Sequence, residues 1–241
     1  MSATPTVQRI GKIKFFDDLK VLIHNGDIIS ESIFEHSVWE ESLSLELLRI
    51  AQSDGGTLVD VGANIGYFSL LWAKANPGNE VMAFEASPRI YPQLLSNVKL
   101  NGLSSQIHCL GVALSDSNRI HEFVLGPDEQ TGWGGLMDHP VGPSCKVVCV
   151  KLDEIFGNTE IRLLKIDVEG ADTLVLKGCE RLLKAGLIKE IYYEQNLPRM
   201  ASIGVESGEA KRYLESLGYQ VEALTDPSSE VTEWHAFPRG K

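Results

Sequence analysis

From Thr57 onward, short apolar runs alternate with longer stretches of helical periodicity. Thr57 to Val61, Glu80 to Phe84, Gln106 to Leu110, Ile161 to Ile166 and Lys189 to Tyr193 have the length and the apolar content of buried strands. Between and after them, Tyr67 to Ala75, Arg89 to Leu100, Ala171 to Lys184 and Gly208 to Leu217 place apolar residues at helical spacing. Such alternation implies right-handed crossovers and a parallel sheet covered on both faces. The predicted class is therefore α/β, doubly wound.

Three regions depart from the alternation. Lys12 to Ile29 holds two apolar patches, Ile13-Lys14-Phe15 and Val21-Leu22-Ile23-His24, separated by Asp17-Asp18, and reads as a hairpin. Ser37 to Ala51 then reads as an amphipathic helix ending before Asp54-Gly55-Gly56, so residues 1–53 form an addition packed on a main unit of residues 54–241. His121 to Leu125 and Lys146 to Val150 predict an inserted hairpin whose connection, Gly126 to Ser144, is rich in Gly and Pro and resembles a functional loop. Gln220 to Leu224 and Glu233 to Phe237 predict a final antiparallel pair around the turn Asp226-Pro227-Ser228-Ser229.

Charge and composition narrow the partners. Thirty-three acidic residues against 22 Lys and Arg give a net charge of -11, a field that repels nucleic-acid backbones and anionic membranes. No apolar run approaches the roughly 20 residues that cross a bilayer, and the N-terminus lacks a signal pattern, so a cytoplasmic protein is expected. Cys109, Cys145, Cys149 and Cys179 lack paired CxxC spacing and read as reduced, buried thiols.

The chemistry concentrates after the first strand. Asp60-Val61-Gly62-Ala63-Asn64-Ile65-Gly66 follows an apolar strand and leads into a helix, the place where a doubly wound sheet binds ligands. Gly62 and Gly66 allow positive φ and close backbone approach. A dinucleotide loop would read G-x-G-x-x-G, whereas Asn64 and Tyr67 stand where its later glycines belong, which disfavours an NAD-linked oxidoreductase. Asp60 suits the cationic amino-acid part of S-adenosylmethionine better than a pyrophosphate. The bland alternative is a tight turn without a ligand. Against it stands Glu85, in Phe84-Glu85-Ala86-Ser87-Pro88 at the end of the second strand, roughly 20 residues on, where an acid accepts ribose hydroxyls. Taken alone, Glu85 would equally suit a solvated strand end.

These two segments, with Lys151-Leu152-Asp153 and Leu164-Lys165-Ile166-Asp167-Val168-Glu169-Gly170-Ala171-Asp172, resemble the FkbM family of methyltransferases over about the last three-quarters of the chain. The resemblance implies a seven-stranded, mostly parallel class I methyltransferase fold, S-adenosylmethionine as donor, and a hydroxyl of a sugar or secondary metabolite as acceptor. It implies Asp60, Gly62, Ala63, Asn64, Gly66 and Glu85 as cofactor residues, with Ala86, Ser87 and Ala113 near the adenosine. Trp39-Glu40-Glu41 resembles the aromatic-acidic element that precedes the first strand, which adds Glu40; Asp167 joins the set from the second acidic cluster.

Strand alternation, if it persists, puts Lys165, Asp167 and Glu169 on one side; the alternative is a Lys–carboxylate pair and a glutamate at a helix start. Methyl transfer to an alcohol needs alignment and a group to receive the hydroxyl proton. Asp167 and Glu169 are the first candidates, then Glu194, with His139 as an alternative carried by the loop. His139 and Trp133 are equally readable as surface and packing residues. Asp167, Glu194 and Asn196 offer oxygen ligands for magnesium or calcium, but a lone Glu-x-Asn is a weak signal and no metal is expected. The expected activity is an O-methyltransferase acting on a small hydroxyl-bearing molecule. The competing readings are a noncatalytic cofactor-binding or regulatory module and an N- or C-methyltransferase of similar fold.

Overall fold

The computed structural model describes residues 8–24 and 26–240. Strands β1 (Gln8–Lys12) and β2 (Lys20–His24) form an antiparallel pair, followed by helices α1 (Ile28–His36) and α2 (Glu41–Ser53). The main sheet opens with β3 (Thr57–Val61), α3 (Tyr67–Ala75), β4 (Glu80–Phe84), α4 (Tyr91–Leu100) and β5 (Ile107–Leu110). An insertion carries β6 (Ala113–Leu114), β7 (Arg119–Val124), a 3-10 turn (Thr131–Trp133), β8 (Gly135–Leu136) and β9 (Ser144–Val150). The chain continues with α5 (Leu152–Ile155), β10 (Ile161–Ile166), α6 (Asp172–Lys177), α7 (Glu180–Lys184), β11 (Ile188–Asn196) and α8 (Leu197–Ser202). It closes with α9 (Glu209–Ser216), β12 (Tyr219–Ala223) and β13 (Val231–Pro238).

Seven strands form the main sheet in the order β12-β13-β11-β10-β3-β4-β5. Pairing is parallel from β11 through β5, and β13 runs antiparallel to both of its neighbours. The fold is thus α/β and Rossmann-like, with the expected seven-stranded, mostly parallel sheet. Side chains alternate between two cores, as strand geometry requires. Leu58, Val81, Ala83 and Leu163 join the core formed with α2, α3 and α4, whereas Val59, Val61, Leu164 and Ile166 join that of α6, α7 and α9. Because β3 pairs with β4 on one side and with the later β10 on the other, the strand order reverses beside β3, and the cleft opens at the carboxyl ends there.

Tertiary packing redraws several predicted elements. The first arm of the N-terminal hairpin is Gln8–Lys12, and Ile13 lies in the connection, buried at 1% exposure. Ile28 and Ile29 open α1 instead of ending a strand, because Asp27 caps that helix by accepting from the Ser30 N–H at 3.0 Å. The next helix starts at Glu41, later than Ser37, since Ser37 (φ 59°) and Glu40 (φ 43°) are both left-handed. The predicted helix Ala171 to Lys184 is broken around Gly178, where a Cβ would stand 2.1 Å from the Ser115 carbonyl oxygen. The inserted hairpin does pair, Arg119↔Cys149 through Val124↔Ser144, but as part of a four-stranded sheet ordered β6-β9-β7-β8.

The N-terminal pair joins the core of the main sheet. Ile13, Leu19, Val21, Ile23 and Ile33 belong to the same buried cluster as Leu70 and Leu94. Amides of α4 satisfy the backbone of β2: Asn97 Oδ1 accepts from Leu22 N–H at 2.6 Å, and Asn101 bonds both the N–H and the C=O of Lys20 at 2.9 and 2.7 Å. Among the described residues no helix is long and apolar enough to cross a membrane.

Candidate active site

A cavity of about 220 Å³ opens at the carboxyl ends of β3, β4, β10 and β11. The turn after β3 is tied to β4, with the N–H groups of Gly62 and Ala63 both donating to the Phe84 carbonyl at 2.9 Å. Asn64 (φ 51°) turns its own N–H to Glu85 Oε2 at 2.9 Å, while Glu85 Oε1 accepts from Ser87 N–H at 2.7 Å. Glu85 is only 7% exposed, and burial pushes its carboxyl up to about 7 despite these two bonds. Each carboxylate oxygen retains a lone pair beyond the one used, so Glu85 can take two further donors of the kind a ribose diol presents.

Gly62, Asn64, Glu85, Ala86, Ser87 and Ala113 line the cavity, together with Phe84, Ile90, Val112 and Leu114, which give that half an apolar slot. Three expected cofactor residues do not line it. Asp60 lies behind the loop at 1% exposure, with Oδ2 accepting from Ser69 Oγ at 2.6 Å and Oδ1 unpartnered. Ala63 points into the core, and Gly66 (φ 92°) caps α3, where a Cβ would meet Leu94 at 2.7 Å. The glycine at 62 also has a reason other than ligand approach: its φ is 78°, and a Cβ would stand 1.9 Å from the Asp167 carbonyl oxygen.

The other half is carboxylate-rich. Asp167, Glu169, Glu194 and Glu40 line it, the first two from the turn beyond β10, the others from β11 and the entry to α2. Predicted alternation fails after Asp167, because β10 ends at Ile166 and Glu169 is left-handed at φ 54°. Lys165, 3% exposed, bonds Asp167 Oδ2 at 3.3 Å and lies 4.9 Å from the Phe68 ring centre. Glu169 turns instead to Asn196 Nδ2 at 3.3 Å and Arg199 Nε at 3.5 Å. Asn196 donates its amide to Glu194 Oε1 at 3.2 Å as well, and its own oxygen accepts from Arg199 N–H to cap α8. That amide therefore bridges two glutamates through its nitrogen and does not offer the oxygen expected of a metal ligand. Among the described residues no group of three or more His, Cys, Asp or Glu is arranged to hold a metal ion.

Crowding of like charges on buried ground raises these acids. Desolvation, then neighbouring Asp167, pushes Glu169 to about 8 and Glu194 to about 7. Glu40, at the rim, is raised to about 7 by desolvation, with Lys165 pulling against it. Glu233 faces Glu194 across the β11–β13 pair and is raised to about 8. His139 is exposed and does not line the cavity, whereas Trp133 does. Sequence reasoning missed Arg199, Glu233 and Asp27. Only the capping spacing from Asp27 to Ser30 was available to it, because the other two acquire their partners across the fold.

The chain matches the methyltransferase FkbM domain over residues 60–221. It belongs to that family. Relatives include "Methyltransferase 1" of Beauveria bassiana (strain ARSEF 2860), 28% identical over 148 residues, covering 53% of this chain and 59% of that protein. Methyltransferase sdnD of Sordaria araneosa is 31% identical over 157 residues, covering 51% and 60%. The 31-O-demethyl-FK506 methyltransferase FkbM of Streptomyces tacrolimicus is 27% identical over 221 residues, covering 75% and 79%. Against the first two, the chain spans about three-fifths of the relative's own length. The FkbM match includes the loop after β3, Glu85 and the Asp167–Glu169 turn, whereas Glu40 and α1 precede it.

Proposed function

We propose that this protein transfers a methyl group from S-adenosylmethionine to a hydroxyl of a small molecule. The observation that carries the reading is the division of one cavity into an apolar slot ending on Glu85 and a carboxylate-lined half around Asp167. Glu85 would take the ribose hydroxyls, Ala86, Ser87 and Ala113 would flank the adenosine, and Gly62, Asn64, Glu40 and Asp167 would surround the amino-acid end. The residues fit the group: Glu85 has spare acceptor capacity, and the acidic half suits a cation. When bound, the cofactor supplies an electrophilic methyl on a sulfonium.

Everything else falls to the chain's own side chains. The walls align the acceptor and exclude water, which accounts for much of the acceleration of a direct displacement. Asp167, Glu169 and Glu194 are the candidates to receive the hydroxyl proton, and the raised carboxyls of Glu169 and Glu194 make stronger bases than ordinary carboxylates. Oxygen as the accepting atom is supported by the name of the Streptomyces relative, an O-demethyl substrate's methyltransferase. The negative surface and the small cavity favour a small acceptor over nucleic acid.

Calorimetric titration with S-adenosylhomocysteine and with NAD tests the donor. Binding of S-adenosylhomocysteine alone is expected; binding of NAD alone would overturn the proposal. Methyl consumption across a panel of alcohols then separates an enzyme from a noncatalytic cofactor-binding module.

A further inference from the structure

Ile28, Ile29, Trp39 and Glu40 line the cavity although all precede residue 60, where the family match begins. Their placement depends on how α1 is fastened to the segment Thr131–Trp133 that crosses the cavity. Asp27 makes that connection. It is 2% exposed, and its two carboxylate oxygens do different jobs. Oδ2 caps α1 through Ser30 N–H, whereas Oδ1 accepts from Thr131 N–H at 3.1 Å and Thr131 Oγ1 at 2.8 Å. The Ile28 N–H adds a bond to the Glu129 carbonyl at 3.1 Å.

The fastened segment is held tightly on both sides of this contact. A Cβ on Gly132 would come within 3.1 Å of both Asn64 Nδ2 and Ile29 Cδ1, so the loop is pinched between the cofactor turn and α1. Arg199 donates to the Trp133 carbonyl at 3.1 Å and pairs with Glu169, joining the same loop to the carboxylate half. Arg89 bonds the Gly126 carbonyl at 3.0 Å and pairs with Asp128. A serine would cap α1 as well as an aspartate does. Capping therefore does not account for the second oxygen.

We propose that Asp27 is a positioning residue: it latches Thr131 to α1, so that the N-terminal addition builds the apolar wall against which the acceptor is aligned. The wall carries Ile28 and Ile29, while the turn beyond β10 and the end of β11 supply carboxylates, so the acceptor admitted has an apolar flank beside its hydroxyl. This rests on the cavity being a methyl-transfer site.

The test uses the full chain with Asp27→Ser and Thr131→Ala, each of which leaves the α1 cap in place, and with Thr131→Ser, which keeps the hydroxyl donor. Amide hydrogen exchange across residues 126–136 and the S-adenosylhomocysteine dissociation constant are measured. Asp27→Ser, which removes both bonds to Thr131, should speed loop exchange about tenfold and weaken S-adenosylhomocysteine several-fold, whereas Thr131→Ala, which keeps the main-chain N–H bond, should speed loop exchange about threefold. Thr131→Ser should stay within about twofold of wild type, and combining the first two should add little, because they cut one contact. Exchange in α1 itself should not change. Loop exchange and affinity within about twofold of wild type in both Asp27→Ser and Thr131→Ala would overturn the latch. If Asp27→Ser does not fold, Asp27→Asn, which keeps one acceptor oxygen for the helix cap and loses the second, takes its place under the same criterion. Failure of the wild type to bind S-adenosylhomocysteine would sink the proposed function, while the exchange comparison would still judge the latch.

Discussion

Glu85 and Glu169 line the same cavity, and burial raises both, to about 7 and about 8, yet they are held in opposite ways. Glu85 is held by main chain, the N–H groups of Asn64 and Ser87. Glu169 is held by side chains, Asn196 at the end of β11 and Arg199 in α8. A group fixed by backbone keeps its place as long as the turn exists. One fixed by side chains can be retuned by substitutions that leave the fold alone, and on the proposed reading this would separate a constant donor half from an adjustable acceptor half.

The contrast can be broken first where the halves touch. Gly62→Ala forces a Cβ to within 1.9 Å of the Asp167 carbonyl at φ 78°, so denaturant unfolding should show a loss of more than about 4 kcal/mol or no folded protein. A stable variant with normal S-adenosylhomocysteine affinity would mean the halves are not locked together there.

Next, Glu85→Gln should weaken S-adenosylhomocysteine by about 10- to 100-fold, because an amide nitrogen replaces one acceptor of two fixed N–H groups. Glu169→Gln should leave that affinity nearly unchanged and lower turnover instead, by about 100-fold if Glu169 receives the proton. Full turnover in both Glu169→Gln and Asp167→Asn would remove these residues from the chemistry.

The pH dependence sharpens the same point. Glu169, Glu194 and Glu233 have folded values of about 7 to 8. In the unfolded chain they titrate near about 4.3. Between those limits the folded chain holds more protons, so these acids make stability fall as pH rises through that window. Melting temperature should therefore drop from pH 5.5 to 8.5, and less steeply in Glu169→Gln. Turnover should move the other way, rising as the carboxylates ionise. The smallest effect is expected for His139→Ala: turnover and affinity within about twofold of wild type, since the side chain is exposed and away from the cavity.

What was legible in the sequence follows the same division. Thr57 to Val61 and the turn after it declare themselves locally, because an apolar strand, glycines and a helix start are consecutive residues. Glu85 follows the strand beside it in the same way. Asp27, Arg199 and Glu233 carry no such local mark: Asp27 finds Thr131 across 104 positions, and Glu233 meets Glu194 only because β13 pairs with β11. Local periodicity also failed where packing overrode it, as when the close approach of Ser115 broke the helix at Gly178.

The sequence by itself determined the α/β class, the glycine turn after the first long strand and the place of Glu85 beside it, since each depends on short-range periodicity or backbone chemistry. Tertiary structure decided that Gly62 makes room for Asp167 and that Asn196 bridges two glutamates. It also brought the N-terminal helix, which precedes the family match, to one wall of the cavity. The physical reason is that burial, charge crowding and side-chain hydrogen bonds depend on distances that only the folded chain sets.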